Sequence, residues 1–183
     1  MTPQQQALIK ADILASSDMN TLPANSDGSY EIARLYNLPS TTDVWRTEAP
    51  TRLIFDAIDW SKYTPTDVAD ATVIFTNRLL AIQTKQMNLQ NMLVGRETID
   101  ASRANIRAGL RDAVTALPAG ALGAPVSAGG ASGVTVLTAC VRKANRIEKL
   151  LASAGVTTGT VTAGVMSFEG NVSPTDITEA RNS

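Results

Sequence analysis

Histidine is absent from the chain of 183 residues, and cysteine occurs once, as Cys140. Without histidine there is no Ser-His-Asp or Cys-His dyad, no histidine zinc site and no histidine pH switch. A single cysteine excludes an intrachain disulfide and every paired-cysteine metal or redox motif. Because Cys140 falls on the apolar side of a predicted helix, we interpret it as a small buried hydrophobe and not as a nucleophile.

Aromatic residues are scarce, at 4% of the chain, although 44% of the residues are hydrophobic. The core must therefore consist mainly of aliphatic side chains, which favours packing of helix on helix. Sixteen basic and seventeen acidic residues leave a formal charge of -1, too small to attract DNA or an anionic membrane. The chain lacks long apolar runs and an N-terminal secretory signal, so we expect a soluble protein made in the cytoplasm, with no membrane partner.

Apolar residues recur at helical spacing in six segments of the sequence. Thr2 followed by Pro3 is typical of a helix start, and Gly155 of a helix end. The predicted helices are 2–16, 27–36, 50–58, 71–94, 96–116 and 134–154.

Strand signals are fewer. The segment "TDVWRTEAP" predicts one short strand, and "VTTGTVTAGVMSFEGNV" a strand or hairpin. A short terminal helix should follow, capped by Ser173. We therefore predict a mainly α protein: a helical bundle with a long glycine-rich loop and a small β element or extended C-terminal tail. Its expected domains are a helical domain, 1–155, and the tail, 156–183.

The predicted helix 71–94 is apolar on two sides. One stripe contains Ile74, Leu79, Ile82, Leu89 and Leu93, and a second contains Leu80, Met87 and Val94. Its polar residues are mostly amides, which either face solvent or suit a partly desolvated interface. More than one neighbour should therefore cover this helix.

The segment 116–133, "ALPAGALGAPVSAGGASG", carries no charge and many glycines. Ordering such a segment within one domain is entropically unfavourable. It is either a disordered surface linker or an assembly element, which orders against a neighbouring ring or lines a channel.

Two basic clusters are candidate interfaces. Arg103, Arg107 and Arg111 recur every four residues, with Asp100 positioned to pair with Arg103. Arg142, Lys143, Arg146 and Lys149 form a similar group. Such rows either contact phosphate or make ion pairs with carboxylates such as Glu148, and we favour ion pairs because stacking aromatics are missing.

Catalytic signatures are missing as well. The pairs Asp56 and Asp59, and Asp67 and Asp70, are typical of solvated helix faces. The run "AGGASG" lacks the lysine of a phosphate-binding loop. We therefore predict no catalytic residue, no metal site and no cofactor, and we expect a protein that is not an enzyme.

Four segments, taken together and in order, carry a resemblance: "SDGSYEIARLYNLPSTTDVWRTEAP", "GRETIDASRANIRAGLRDA", "CVRKANRIEKLLASAGVTTGT" and "FEGNVSPTDITEAR". This combination resembles the head-to-tail connector, or adaptor, proteins of tailed bacteriophages. The resemblance covers nearly the whole chain. It implies a structural virion protein of the neck, assembled in the host cytoplasm, that docks as a ring on the portal protein and joins head to tail.

The resemblance also implies partners. These are the portal, tail or other neck proteins, and further copies in a homo-oligomeric ring of about twelve. Genomic DNA would pass through the channel without specific binding. The expected interface residues are Arg103, Arg107, Arg111, Gly120, Gly123, Gly129, Gly130, Arg142, Arg146 and Phe168. The alternative is a DNA-binding packaging protein of the small-terminase kind, although Lys10 is the only basic residue before Arg34.

Overall fold

The structure, a computed structural model, describes residues 1–58, 60–63, 75–115 and 136–183. Its helices and strands alternate along the chain. The helices are α1 (Pro3–Ala15), α2 (Ser26–Tyr36), α3 (Thr51–Asp56), α4 (Phe75–Leu93), α5 (Ala104–Val114), α6 (Val136–Ala139), α7 (Arg146–Leu151) and α8 (Pro174–Asn182), with a 3-10 turn at Trp60–Tyr63. The strands are β1 (Pro39–Trp45), β2 (Ala49–Pro50), β3 (Thr98–Ile99), β4 (Val141–Asn145), β5 (Val156–Thr158) and β6 (Val161–Ala163).

The prediction of a mainly α helical bundle is wrong. The described part of the chain is mixed α/β, with three small antiparallel sheets of two strands each. These sheets pair β1 with β4, β2 with β3, and β5 with β6. Most of the strands are two to five residues long, too short to give a clear alternation of apolar and polar residues in the sequence.

The first of two compact units comprises residues 1–44, 143–155 and 164–183. In this unit α7 and α8 both pack against α1 and α2. The core is aliphatic apart from one tyrosine and one methionine. It contains Ile9, Ile13, Met19, Ile32, Ala33, Tyr36, Ile147, Leu151, Val172, Ile177 and Ala180. Segments far apart in sequence thus share one core.

Four helices of this unit, α1, α2, α7 and α8, begin at side-chain caps. The hydroxyl of Thr2 accepts a hydrogen bond from the Gln5 amide, and the Gln5 side chain accepts one from the Thr2 amide. Ser173 makes the same reciprocal pair with Asp176. Asn25 caps α2 through the Gly28 amide, at 2.9 Å. The predicted caps at Thr2 and Ser173 are confirmed.

The second unit comprises residues 45–142 and 156–163. Here α4 packs against α5, while α6 packs against α3 and α5. Strand β2 pairs with β3 so that Ala49 faces Ile99. The hairpin of β5 and β6 places Val156 opposite Ala163 and turns at Gly159, which has φ 62°. The left-handed backbone at this turn favours glycine.

The predicted helix 134–154 is divided into three elements. Its residues 134 and 135 lie outside the described part, and α6, β4 and α7 follow. Strand β4 pairs with β1, and a backbone hydrogen bond lies at each end of this pair. The Arg46 amide donates to the Cys140 carbonyl at one end, and the Arg146 amide donates to the Leu38 carbonyl at the other, both at 2.9 Å. Apolar residues at helical spacing are therefore shared among three short elements and do not form one helix. The sequence "NRIE" marks the start of a new helix, because Asn145 and Glu148 cap α7 reciprocally.

The predicted helix 96–116 begins late. Arg96 and Glu97 precede strand β3, and α5 starts only at Ala104. The Thr51 amide donates to the Glu97 carbonyl at 3.0 Å, and its hydroxyl donates to the Arg96 carbonyl at 2.8 Å. These bonds satisfy backbone groups that a helix would otherwise have paired internally.

The expected extended C-terminal tail is a hairpin and a packed helix. The Asn37 side chain holds the segment before α8, because it donates to the Val172 carbonyl and accepts from the Val172 amide, both at 3.0 Å. Ile177 and Ala180 of α8 are fully buried. Whether residues 156–183 act as an assembly domain separate from 1–155 stays a prediction.

Candidate assembly interface

Helix α4 buries one face and exposes the opposite one. Ile82, Leu89 and Leu93 are buried in the core of the second unit. Leu80 and Met87, by contrast, are 63% and 60% exposed, and Val94, which directly follows the last residue of α4, is 65% exposed. The second apolar stripe that the sequence predicts is therefore present, and within the described part of the chain nothing covers it. Residues 71–74 of the predicted helix lie outside that part.

Polar residues alternate with the exposed apolar ones along this face. Every one of them is exposed, and none carries a charge. We call the set the α4 seam: Asn77, Leu80, Thr84, Met87, Asn91 and Val94. Because this surface contains only apolar, amide and hydroxyl side chains, another protein can bind to it and displace its water without burying a charge.

Lys85 lies on the side of α4 that faces α5. Its ammonium group donates to the carbonyls of Asp112 and Thr115, at 2.5 and 2.7 Å. These carbonyls lie at the C-terminal end of α5, where a cation also interacts favourably with the helix dipole. The ammonium group of Lys85 thus stabilises the contact between α4 and α5. It does not lie in the α4 seam, which carries no charge.

The predicted column of Arg103, Arg107 and Arg111 is not one exposed surface. Arg103 precedes α5 and pairs with Asp100 at 2.8 Å, as the sequence predicts, with its side chain 70% exposed. Arg111 is exposed near the other end of the helix. Arg107, between them, is only 2% exposed. A phosphate backbone could therefore not follow this row.

Arg107 is held by neutral groups. Its guanidinium donates to the carbonyls of Ala101 and Ser102, at 2.9 and 2.5 Å, and to the Thr158 hydroxyl at 3.1 Å. It also lies over the ring of Trp45. Desolvation lowers the pKa of Arg107 from its ordinary value. Oxygen acceptors and the aromatic face make its burial tolerable without a carboxylate in hydrogen-bond contact.

The second basic cluster is not a helical column either. Arg142 and Lys143 belong to β4, whereas Arg146 and Lys149 belong to α7. Lys143 pairs with Asp43 at 2.9 Å. Glu148, expected to oppose this cluster, is buried and accepts hydrogen bonds from the backbone amides of Asn145 and Gly170. The local geometry thus separates four residues that the sequence groups together.

Arg146 pairs with Asp18 at 2.9 Å. Its guanidinium also donates to the Ser16 hydroxyl and lies 5.7 Å from the centre of the Tyr36 ring. The hydrogen bond from Arg146 lowers the pKa of Asp18 from 3.8 to about 2. Arg146 therefore joins α7 to the turn after α1, and this ion pair is of the kind that we favoured from the sequence.

The remaining predicted interface residues divide into two groups. Phe168 is partly buried against the core of the first unit. Gly120, Gly123, Gly129 and Gly130 lie outside the described residues, as does the whole segment 116–133. The same holds for Asp59, Asp67 and Asp70, while Asp56 makes a long contact of 3.7 Å with Arg52.

Cys140 is fully buried, as predicted. Burial raises the pKa of its thiol to about 12, so the nucleophilic thiolate is strongly disfavoured at neutral pH. Among the described residues no group of three or more acidic or cysteine side chains is positioned to hold a metal ion. The geometry of the described part offers surfaces for contact and no reactive cluster.

Sequence reasoning did not find the cluster of Trp45, Arg107 and Thr158. These residues are far apart in the chain, and each alone has an ordinary alternative explanation. The α4 seam, by contrast, was detectable, because Leu80, Met87 and Val94 recur at intervals of seven residues. What the sequence did not decide was whether another element of the same chain covers that stripe.

Comparison of the chain with protein-family models, curated proteins and solved structures finds no match. None of the described helices is both long and apolar enough to cross a membrane.

Proposed function

We propose that this chain is a structural subunit of the neck of a tailed bacteriophage. It docks as a ring on the portal protein and joins the head to the tail. The four segments that resemble head-to-tail connector proteins support this function. In this proposed role the chain catalyses no reaction and needs no cofactor.

The observation that carries the proposal is the α4 seam, which no other described element covers. Leu80 and Met87 on α4, and Val94 directly after it, are each at least 60% exposed, and such exposure of apolar side chains is expected where a protein contacts another protein. A ring subunit needs such contact surfaces on a rigid body. In the second unit α4 is anchored to α5 through buried aliphatic residues and Lys85, so its exposed face is presented on a fixed support.

The neutral character of the α4 seam also fits a protein past which DNA must move. Exposed rows of Lys and Arg bind phosphate strongly and independently of sequence. Both basic clusters are interrupted by burial or by ion pairs, at Arg107, Lys143 and Arg146. We therefore propose that DNA passes through the ring without specific binding.

The test removes the gene from the phage genome that carries it. A neck protein acts after DNA packaging, so the expected product is DNA-filled heads without tails, together with free tails. A packaging protein acts earlier, and its loss would leave empty heads. Electron microscopy of the lysate and measurement of DNA in purified heads distinguish these outcomes. Empty heads would overturn the proposal.

Binding to the portal is tested separately. Purified chain is mixed with the portal ring from the same phage, and the complex is isolated by size-exclusion chromatography and viewed by electron microscopy. A ring of additional density at one end of the portal is the expected result. The control variant is Met87→Glu, which places a charge in the α4 seam. It is included to test whether this seam makes the contacts between neighbouring copies in the ring. Absence of any complex with natural chain would contradict the docking role.

A further inference from the structure

Residues 167–183 are bound to the rest of the first unit much as a peptide is bound to a receptor. We call these residues the arm, and we call the rest of the first unit the receptor. The second half of the arm is helix α8, whereas residues 167–173 form neither helix nor strand. The two parts of the arm are held by the receptor in different ways.

Side chains of the receptor hold the backbone of the arm before α8. Asn37 is the clearest case, because its side chain donates to the Val172 carbonyl and accepts from the Val172 amide, both at 3.0 Å. The amide and the carbonyl of Gly170 are bound in a similar way, by the side chains of Glu148 and Asn145, both at 2.9 Å. Such contacts hold a backbone without a strand partner, and they require no peptide link between arm and receptor.

Helix α8 occupies a groove of the receptor that is formed by α1, α2 and the turn between them. Ile177 is fully buried in this groove. At its rim Thr178 donates to the Ser29 hydroxyl at 3.0 Å, and Arg181 donates to the Pro23 carbonyl at 2.8 Å. An amphipathic helix laid into an apolar groove is a common mode of peptide recognition.

We infer that the arm is exchangeable, and that in an assembly of this chain the arm of each copy binds the receptor of the next copy. The contacts above join the arm to the receptor across space and not along the chain, so the arm of a second copy makes the same contacts. Arm and receptor are different surfaces. Copies linked in this way stand head to tail, which is the kind of contact that closes into a ring.

Concentration decides whether an arm binds its own receptor or that of another copy. A tethered arm acts at an effective concentration of roughly 1 mM. A second copy at micromolar concentration does not compete with it, so the isolated chain is closed, as in the structure. Copies held side by side in an assembly present their arms at comparable local concentrations, and exchange then replaces each contact of the arm by an identical one.

A pair of cysteines distinguishes the two arrangements. Ser29→Cys places a thiol on the receptor and Thr178→Cys places one on the arm, at positions whose hydroxyl oxygens are 3.0 Å apart. The two single variants are mixed, unfolded, refolded together under reducing conditions and then oxidised. At about 1 mM chain a disulfide-linked product of two chains is expected, and at about 1 μM it should be at least about tenfold less abundant.

Two controls accompany this experiment. The double variant, with both cysteines in one chain, should close a disulfide within the chain at low concentration, which shows that the pair is able to form. Arg52→Cys, whose side chain is 90% exposed on α3, replaces Thr178→Cys in the control for chance collision. Ser29 is only 3% exposed, so a thiol outside the groove should react slowly with a cysteine at this position. The natural Cys140 is buried.

A deletion tests the exchange without cysteine chemistry. Val165 and Met166 connect the arm to Gly164, whose amide is itself held by the Asp43 carbonyl at 2.9 Å. Removing both residues shortens this connection by about 7 Å, so the arm no longer reaches its own receptor. The variant should keep the circular dichroism of the natural chain and form larger species at tens of micromolar, and native mass spectrometry should count three or more copies in them.

Three results would overturn the inference. The first is a double variant that closes within the chain while the mixed single variants give no more two-chain product than the Arg52→Cys control. The second is a deletion variant of the same size as the natural chain. The third is exchanged species of two copies only, because mutual exchange is not a head-to-tail contact. The inference does not rest on the neck function, since exchange is measured without the portal, and failure of portal binding with intact exchange would contradict the proposed function alone.

Discussion

The Cζ atom of Arg107 lies over the ring of Trp45, 4.7 Å from its centroid, and both side chains are almost completely buried. This pair lies at the centre of a cluster that connects the first turn of α5 with β5 through Thr158. Arg107 is thus buried in the second unit, although the regular spacing of Arg103, Arg107 and Arg111 in the sequence does not indicate which of the three is buried.

Replacing Arg107 should destabilise the fold. Arg107→Ala removes three hydrogen bonds and takes this donor away from the buried carbonyl of Ala101 and the partly buried carbonyl of Ser102, which predicts a loss of about 2 to 4 kcal/mol in the free energy of unfolding. Arg103→Ala, at the residue just before α5, is the matched control, and its exposed ion pair should contribute less than about 1 kcal/mol. Urea denaturation measures both, and equal losses would contradict the assigned role of Arg107.

The Asp18–Arg146 pair should make stability depend on acid. The folded pKa of Asp18 is about 2, below its ordinary 3.8, so its contribution is fully present above about pH 4 and disappears as the pH falls through 2. Natural chain should therefore melt at a higher temperature than Asp18→Asn at pH 6, with the difference shrinking between pH 4 and 2. A difference independent of pH would show that the carboxylate charge of Asp18 is not its source.

Two helical glycines should respond differently to alanine. A Cβ atom at Gly28 would lie 1.9 Å from the Pro23 carbonyl oxygen, whereas one at Gly109 would meet only the flexible end of Met92, at 3.0 Å. Gly28→Ala should destabilise by at least about 2 kcal/mol, since the backbone itself must move. Gly109→Ala should change stability by less than about 1 kcal/mol, because better helix propensity offsets a small adjustment. Thermal melts of both variants provide the comparison, and a neutral Gly28→Ala would count against this geometry of the α2 start.

The thiol of Cys140 should resist labelling in the folded protein. Raising its pKa from 9.0 to about 12 reduces the thiolate fraction at neutral pH by about a thousandfold, and burial also blocks access. The rate of reaction with a disulfide reagent should therefore follow the rate of unfolding, with full reaction in denaturant. Rapid labelling without denaturant would contradict the buried position.

Local signals predicted the helices that begin and end with clear caps. Thr2 with Pro3, and Ser173 with Pro174, are side-chain and proline signals contained within a few residues, and both helices occur where expected. The sheets depend on partners far away in sequence. Strand β4 pairs with β1, about a hundred residues earlier, and no local pattern reports that pairing.

The same distinction applies to the candidate interface. The heptad repeat of Leu80, Met87 and Val94 is a local pattern, and so the stripe itself was predictable. Burial of Arg107 and separation of Arg142 from Arg146 result from tertiary packing, which overrides a regular spacing of charges.

The interleaving of the two units has a consequence for synthesis. The second unit requires the chain only as far as Ala163, but the core of the first unit is incomplete until α8 follows Pro174. During synthesis on the ribosome, the apolar faces of α1 and α2 therefore remain without α8, their main packing partner, while the intervening residues are translated. This takes roughly 10 to 30 s. During this interval Ile9, Ile13 and Ile32 remain available to chaperones, and the inserted unit is able to fold before the one that encloses it in sequence.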